Sequence, residues 1–171
     1  YIKRYVKGLS VSVFHLTLRE QGLIVAKGNP KEIKGIEDLA GTDISFVNRQ
    51  AGSGTRVLFD HQLDQSGVNA DAVKGYGHEE FTHMAVAVDV LSGAADAGMG
   101  IYAAARALDL DFVPIAREQY DLIIPRRMLD QPNIRTVLNT IKSGHFRERI
   151  ISLGGYDPSR SGELFMEVEG D

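Results

Sequence analysis

Along the chain, segments with the apolar pattern typical of strands alternate with segments that have the pattern typical of helices. Apolar residues at every second position predict an extended segment over 9–18, and a continuous apolar run predicts a strand over 21–26. Further strands are predicted over 44–47, 95–100, 110–115 and 120–125. A helical turn is predicted over 36–39, and helices are predicted over 55–65, 82–91, 101–108, 133–142 and 146–153. The polar residues from 157 onward predict a loose tail.

Strands that alternate with helices of this length predict an α/β fold with mostly parallel sheets. Two extended segments, 9–26 and 111–125, frame a compact middle and are candidates for crossover strands between two lobes. On this interpretation residues 27–110 form the second lobe and residues 126–157 form the remainder of the first. Residues 158–171 are the tail.

Composition narrows the range of functions. The apolar fraction of 43% and the charged fraction of 25% are ordinary for a globular domain. The formal net charge of −4 argues against a direct nucleic-acid surface, which needs a basic field. The absence of cysteine excludes disulfides, thiolate metal sites and cysteine nucleophiles. No apolar run approaches the roughly 18–20 residues that span a bilayer, so no membrane partner is expected.

The stretch Asn48–Arg56 joins a predicted strand to a predicted helix and is rich in glycine and hydroxyl side chains. A helix N-terminus leaves backbone N–H groups unpaired and carries the positive end of the helix dipole. Glycine lets a ligand approach the main chain, and serine, threonine and arginine add donors. The stretch therefore predicts a seat for a small anion, and the alternative is a capped helix after a tight turn. The candidate ligand-binding residues are Asn48, Arg49, Ser53, Gly54, Thr55 and Arg56.

The next predicted helix begins at Thr82 and His83. Thr82 is a natural N-cap, and either residue could instead donate to the same anion from the opposite wall. Asp96 lies in Ala95–Gly98, where a predicted strand leaves through glycine. It is expected to be either a buried carboxylate bonded to backbone amides or a carboxylate that orients an arginine.

Several familiar motifs are missing. The glycines fit neither the P-loop nor the dinucleotide-binding spacing. The five histidines lack metal-binding spacing, and no nucleophile elbow is present. We therefore expect no metal, no cofactor and no catalytic residues, which indicates a binding domain and not an enzyme.

Short motifs along most of the chain together resemble a known family. They are Arg19–Leu23, Gly28–Pro30, Phe46–Gln50 with Gly52–Arg56, Gly75–Tyr76, Thr82–His83, Gly93–Gly98, Asp111–Pro114, Glu118–Leu122 and Gly155–Asp157. The sequence resembles the type II periplasmic-binding-protein-like domain of molybdate-associated cytoplasmic proteins. Such domains occur fused to helix-turn-helix regulators and to molybdopterin biosynthesis proteins.

The resemblance implies a two-lobed fold that binds a small tetrahedral oxyanion, molybdate or tungstate, in its cleft. It also implies a cytoplasmic location and a fused regulatory or biosynthetic domain as partner. Two alternatives stay open. The domain could be a structural module that binds nothing, or the substrate domain of a molybdopterin biosynthesis enzyme.

One departure from the family concerns the start of the chain. Such domains normally carry a preceding segment that supplies part of the first lobe, whereas this sequence opens close to the first crossover strand. We expect that part of the first lobe to be missing. Uncovered apolar surface is normally resolved by association, so a homodimer or a longer chain is expected.

Overall fold

The computed structural model describes residue 6, residues 8–40 and residues 43–170, so the predicted domain start at residue 1 lies outside the described residues. The chain forms two compact units. Unit 1 is drawn from 1–19 and 118–171, and unit 2 from 20–117. Strands β1 (Val11–Val25) and β5 (Asp111–Pro125) each begin in one unit and end in the other. Both unit boundaries fall inside the two predicted crossover segments.

Unit 2 is built around a sheet with the strand order β3-β2-β4-β1-β5. Its remaining strands are β2 (Phe46–Arg49), β3 (Glu79–Glu80) and β4 (Ala97–Ile101). Its helices are α1 (Gly54–Gln65), α2 (His83–Ser92) and α3 (Tyr102–Ala107), with short 3-10 turns at Glu37–Ala40 and Ala70–Ala72. Strand β2 lies parallel to both β3 and β4, whereas β1 is antiparallel to β4.

Unit 1 contains helices α4 (Pro132–Lys142) and α5 (Gly144–Leu153), preceded by a 3-10 turn at Arg126–Met128. Two short strands follow, β6 (Tyr156–Asp157) and β7 (Leu164–Val168). Both pair with β1 in antiparallel orientation.

The α/β fold and the predicted helices are confirmed, but three details of the prediction are wrong. The described sheet is mixed and not mostly parallel, because apolar periodicity reports burial and not strand direction. Two separate extended segments were predicted in the place of β1, and two in the place of β5, but each is one continuous strand. The polar residues in the middle of each strand keep an extended backbone where the chain passes from one unit to the other. The predicted loose tail forms β7, because Val11–Val13 supplies a pairing partner far away in sequence.

The core of unit 2 has two apolar layers, one on each face of the sheet. Phe46 packs against Phe59 of α1 on one face, with ring centroids 4.5 Å apart. The next residue, Val47, lies on the opposite face with Val86 of α2 and Ala105 of α3. Strict alternation along β2 therefore attaches α1 to one face of the sheet and α2 and α3 to the other.

Asp96 fixes the amino-terminal edge of this sheet. Its Oδ2 accepts hydrogen bonds from the backbone N–H and the hydroxyl of Ser45, at 2.8 and 2.7 Å. Burial alone raises the pKa of Asp96, but the hydrogen bonds from Ser45 and the nearby lysines outweigh burial and lower the pKa. The carboxylate bonded to a backbone amide, predicted from the sequence, is confirmed, but Asp96 is only partly buried.

Apolar side chains stay half-exposed in unit 1. Tyr120 and Ile123 on β5 and Leu164 and Phe165 on β7 are among them. Exposed apolar surface of this kind would favour association, although the apolar residues expected to be uncovered on β1 are largely buried. Association itself stays a prediction.

Gly75, which precedes β3, lies very close to the backbone of Phe46 on β2. Its φ is +93°, and a Cβ atom there would lie 2.2 Å from the carbonyl oxygen of Phe46. Only glycine suits both conditions, which explains a glycine before Tyr76.

We therefore expect Gly75→Ala to lower the free energy of unfolding by about 2–4 kcal/mol, since overpacking and an unfavourable φ add together. Urea denaturation followed by circular dichroism measures the loss. Gly77→Ala is the matched control, because a Cβ there meets no atom within 4 Å. Equal effects of the two variants would contradict the steric account.

Candidate functional site

Two helices begin at the same edge of the sheet in unit 2. Strands β2 and β3 are parallel neighbours, so their carboxyl ends meet at one edge. Helix α1 starts just after β2 with Ser53 as N-cap, and α2 starts just after β3 with Thr82 as N-cap. This edge is the usual place for a ligand in an open α/β sheet.

The cap residues use their hydroxyl oxygens within their own helices. Ser53 Oγ accepts from the N–H of Arg56 at 3.2 Å, and Thr82 Oγ1 accepts from the N–H of Ala85 at 3.0 Å. Each cap satisfies one N–H of its first turn. The other N–H groups in the first turn of an α-helix, such as those of Gly54 and Thr55 in α1, have no acceptor within the helix itself.

Arg49 ties the two helix starts together. Its side chain is nearly buried, and its Nη2 and Nε donate to the backbone carbonyls of Phe81 and Glu80 at 2.9 and 3.2 Å. Phe81 directly precedes the N-cap of α2. The guanidinium therefore holds the segment before α2 against the end of β2 and places a positive charge between the two helix starts.

Arg56 is held by a dense set of contacts on the other side of the loop. Its guanidinium lies over the ring of Tyr76, 4.2 Å from the centroid. Its Nε donates to Asp60 Oδ1 at 2.9 Å, and its Nη1 donates to Glu79 Oε1 at 2.8 Å. Burial would lower the pKa of Arg56, but the contacts with Tyr76 and Asp60 outweigh burial and raise the pKa. Arg56 stays charged, with carboxylates already beside it.

Asn48 and Thr55 face the protein interior. Asn48 is fully buried, and its Nδ2 donates to the carbonyl of Tyr76 at 3.2 Å. Thr55 is 2% exposed, and its hydroxyl donates to Gln21 Oε1 on β1 at 2.7 Å. These two side chains hold the loop in shape.

The sequence predicted eight ligand-binding residues, and the structure brings all eight to this edge of unit 2. His83 lies beside Gly100, at the end of β4. Gly54 is open to solvent, and a Cβ there would meet no atom within 4 Å. The hydroxyls of Ser53, Thr55 and Thr82 are engaged internally, so the donors available at this edge are mainly backbone N–H groups. Ligand binding by these residues stays a prediction.

Sequence reasoning missed three residues that shape the site. They are Gln21, Tyr76 and Glu79, which contact Thr55 and Arg56 from other strands and turns. Partners that are distant in sequence cannot be predicted from local residue spacing. The Arg56–Asp60 pair, by contrast, has the i,i+4 spacing that signals neighbours on a helix.

Three side chains near β3 could hold a metal ion, contrary to the expectation from histidine spacing. Ligand atoms of His78, Glu80 and Asp89 all lie within 4.8 Å of one another. Histidine spacing does not indicate this group, because His78 precedes β3, Glu80 lies on β3 and Asp89 lies in the middle of α2. His78 Nε2 and Asp89 Oδ2 lie 3.3 Å apart, so a direct contact between these two side chains accounts for two of the three groups.

Residues 1–142 match the family model described as the PBP superfamily domain, that is, of periplasmic binding proteins. The chain belongs to this superfamily, whose domains are generally binding modules. Among the described residues, no helix is long and apolar enough to cross a membrane.

One curated relative and two solved structures illustrate the match. YvgK of Bacillus subtilis (strain 168) is 39% identical over 168 residues, which cover 98% of this chain and 54% of YvgK. This chain therefore spans about half the length of YvgK.

The two structures are less similar in sequence. The ancestral amino acid-binding protein AncCDT-1 has a TM-score of 0.60 and 18% identity, covering 84% of this chain and 62% of its own. A phosphate ABC transporter substrate-binding protein from Clostridium perfringens, with bound phosphate, has a TM-score of 0.57 and 15% identity. That match covers 86% of this chain and 71% of the transporter protein. At these identities the two structures show the fold alone.

Thr55→Val tests the inward role of the Thr55 hydroxyl. The substitution keeps the shape and removes the donor to Gln21, so we expect the free energy of unfolding to fall by about 1–3 kcal/mol. Val57→Thr is the reverse swap at a position that is 61% exposed in the same helix, and it should change stability by less than about 0.5 kcal/mol. Thermal or urea melts compare the two, and equal losses would show that the buried hydrogen bond is not responsible.

Proposed function

We propose that this domain binds a small tetrahedral oxyanion at the edge where α1 and α2 begin. The observation that carries the proposal is the pair of helix N-termini on adjacent parallel strands, joined by the buried guanidinium of Arg49. A desolvated anion requires hydrogen-bond donors and positive charge. Backbone N–H groups supply the donors, and the helix dipoles and a fixed cation supply the positive charge.

The family and the neighbours support a small-ligand site. Superfamily membership favours a binding module, and one neighbour of the same fold holds phosphate. Molybdate or tungstate is the specific ligand that we propose, on the motif resemblance given above. Because AncCDT-1 is described as an amino acid-binding protein, an amino acid is the competing ligand.

The same proposal extends to the larger protein. We place the domain in a cytoplasmic helix-turn-helix regulator or molybdenum-cofactor biosynthesis protein, where it senses the oxyanion without a cofactor or chemistry of its own. The alternatives are a structural module that binds nothing and a substrate domain that presents molybdate to a biosynthetic enzyme.

Molybdate or tungstate should raise the melting temperature more than sulfate or phosphate does at equal concentration. At a ligand concentration 100 times Kd, the stabilisation should be about 2.7 kcal/mol. Differential scanning fluorimetry of the full chain measures the shift. A larger shift with phosphate would indicate that phosphate, and not molybdate or tungstate, is the ligand. A shift with amino acids alone would contradict the oxyanion site. No shift with any of these ligands would favour the structural module.

Gly54→Glu and Gly54→Gln form a matched pair at the first residue of α1. Both side chains extend into open space, and a carboxylate there suits a helix N-terminus, so both variants should fold. Gly54→Glu should weaken oxyanion binding at least about tenfold more than Gly54→Gln does, because it adds a like charge, and tenfold corresponds to about 1.4 kcal/mol. Isothermal titration calorimetry gives both constants. Equal affinities would place the ligand away from α1.

A further inference from the structure

The carboxylate of Glu79 bridges both ends of the glycine-rich loop. Its Oε1 accepts from Arg56 Nη1 at 2.8 Å, and its Oε2 accepts from the backbone N–H of Ala51 at 3.3 Å. A guanidinium and a loop N–H are the donors that a small oxyanion would also use. Glu79 therefore occupies part of the donor set that the proposed function assigns to the ligand.

The positive charge of Arg56 is already outnumbered by carboxylates without a ligand. Arg56 faces two carboxylates, Asp60 and Glu79. A dianion added next to Glu79 would meet a like charge at short range, which opposes binding unless that carboxylate moves away.

The two partners differ in how firmly they are held. The side chain of Arg56 is 11% exposed and rests on Tyr76, whereas the side chain of Glu79 is 34% exposed. An ion pair of which one member reaches solvent contributes little to stability, so turning Glu79 outward costs little. Arg56 would keep its place through Asp60 and Tyr76.

We propose that Glu79 is an internal competitor that sets the affinity of the oxyanion site. A bound oxyanion replaces the Glu79 carboxylate on Arg56 and on the Ala51 N–H. The site thereby binds anions more weakly than its donors alone would allow, and it rejects those that cannot displace the carboxylate. This inference rests on the proposed function, because it concerns the same loop.

The test compares Glu79→Gln with Glu80→Gln in the full chain. Both substitutions remove one negative charge from β3, but consecutive strand residues point to opposite faces, and only Glu79 contacts the loop through its side chain in the hydrogen bonds above. Calorimetric titrations with molybdate and with phosphate give the dissociation constants. Glu79→Gln should bind at least about tenfold more tightly than the parent chain, and Glu80→Gln should stay within about twofold.

Other results separate the two proposals. Equal affinity in Glu79→Gln and the parent chain would overturn the competitor while leaving oxyanion binding in place, and weaker binding would show that Glu79 supports the site instead. If neither anion binds to the parent chain or to Glu79→Gln, both proposals fail. Binding by Glu79→Gln alone would support the competitor strongly. Glu79→Ala, checked by its thermal melt, repeats the measurement without the side-chain amide.

Discussion

Parallel pairing of β2 with both β3 and β4 is the constraint on which unit 2 depends. It sends the carboxyl ends of these strands to one edge, so the helices that follow β2 and β3 must both begin there. It also buries β2 on both faces, with Phe46 packed under α1 and Val47 packed under α2 and α3. The position of the candidate site and the two-layer core are therefore two consequences of the same strand pairing.

The charged groups at that edge are held by partners within the protein. Arg49 donates to the backbone carbonyls of Glu80 and Phe81 and so fixes the loops. Arg56 is instead matched by Asp60 and Glu79. A site of this kind resists collapse, because its cations are held in position by contacts that do not require a ligand. The same contacts moderate the positive field, so under the proposed function selectivity would depend on how well an anion replaces the Glu79 carboxylate.

Local order and helix starts were accessible from the sequence because they depend on neighbours along the chain. The 3.6-residue period of apolar positions predicted the helices, and Ser53 and Thr82 are residue types that favour helix N-caps. The hydrogen bond between Asp96 and a backbone amide was predicted from its local sequence. The superfamily was accessible too, because many weak motifs occur in the right order along the chain. The ligand was not accessible in the same way, since one neighbour of this fold is described as an amino acid-binding protein and another holds phosphate.

Only the tertiary structure decided which groups face the edge where α1 and α2 begin and which are used internally. Thr55 reads as an exposed donor in the sequence, yet it turns inward to Gln21, which arrives from β1. Arg56 reads as a free cation, yet Glu79 reaches it from β3. Strand direction, the continuity of β1 and the pairing of β7 were hidden for the same reason. The sequence determines local conformation through neighbouring residues, whereas these features depend on hydrogen bonds and charges between segments that meet only after folding.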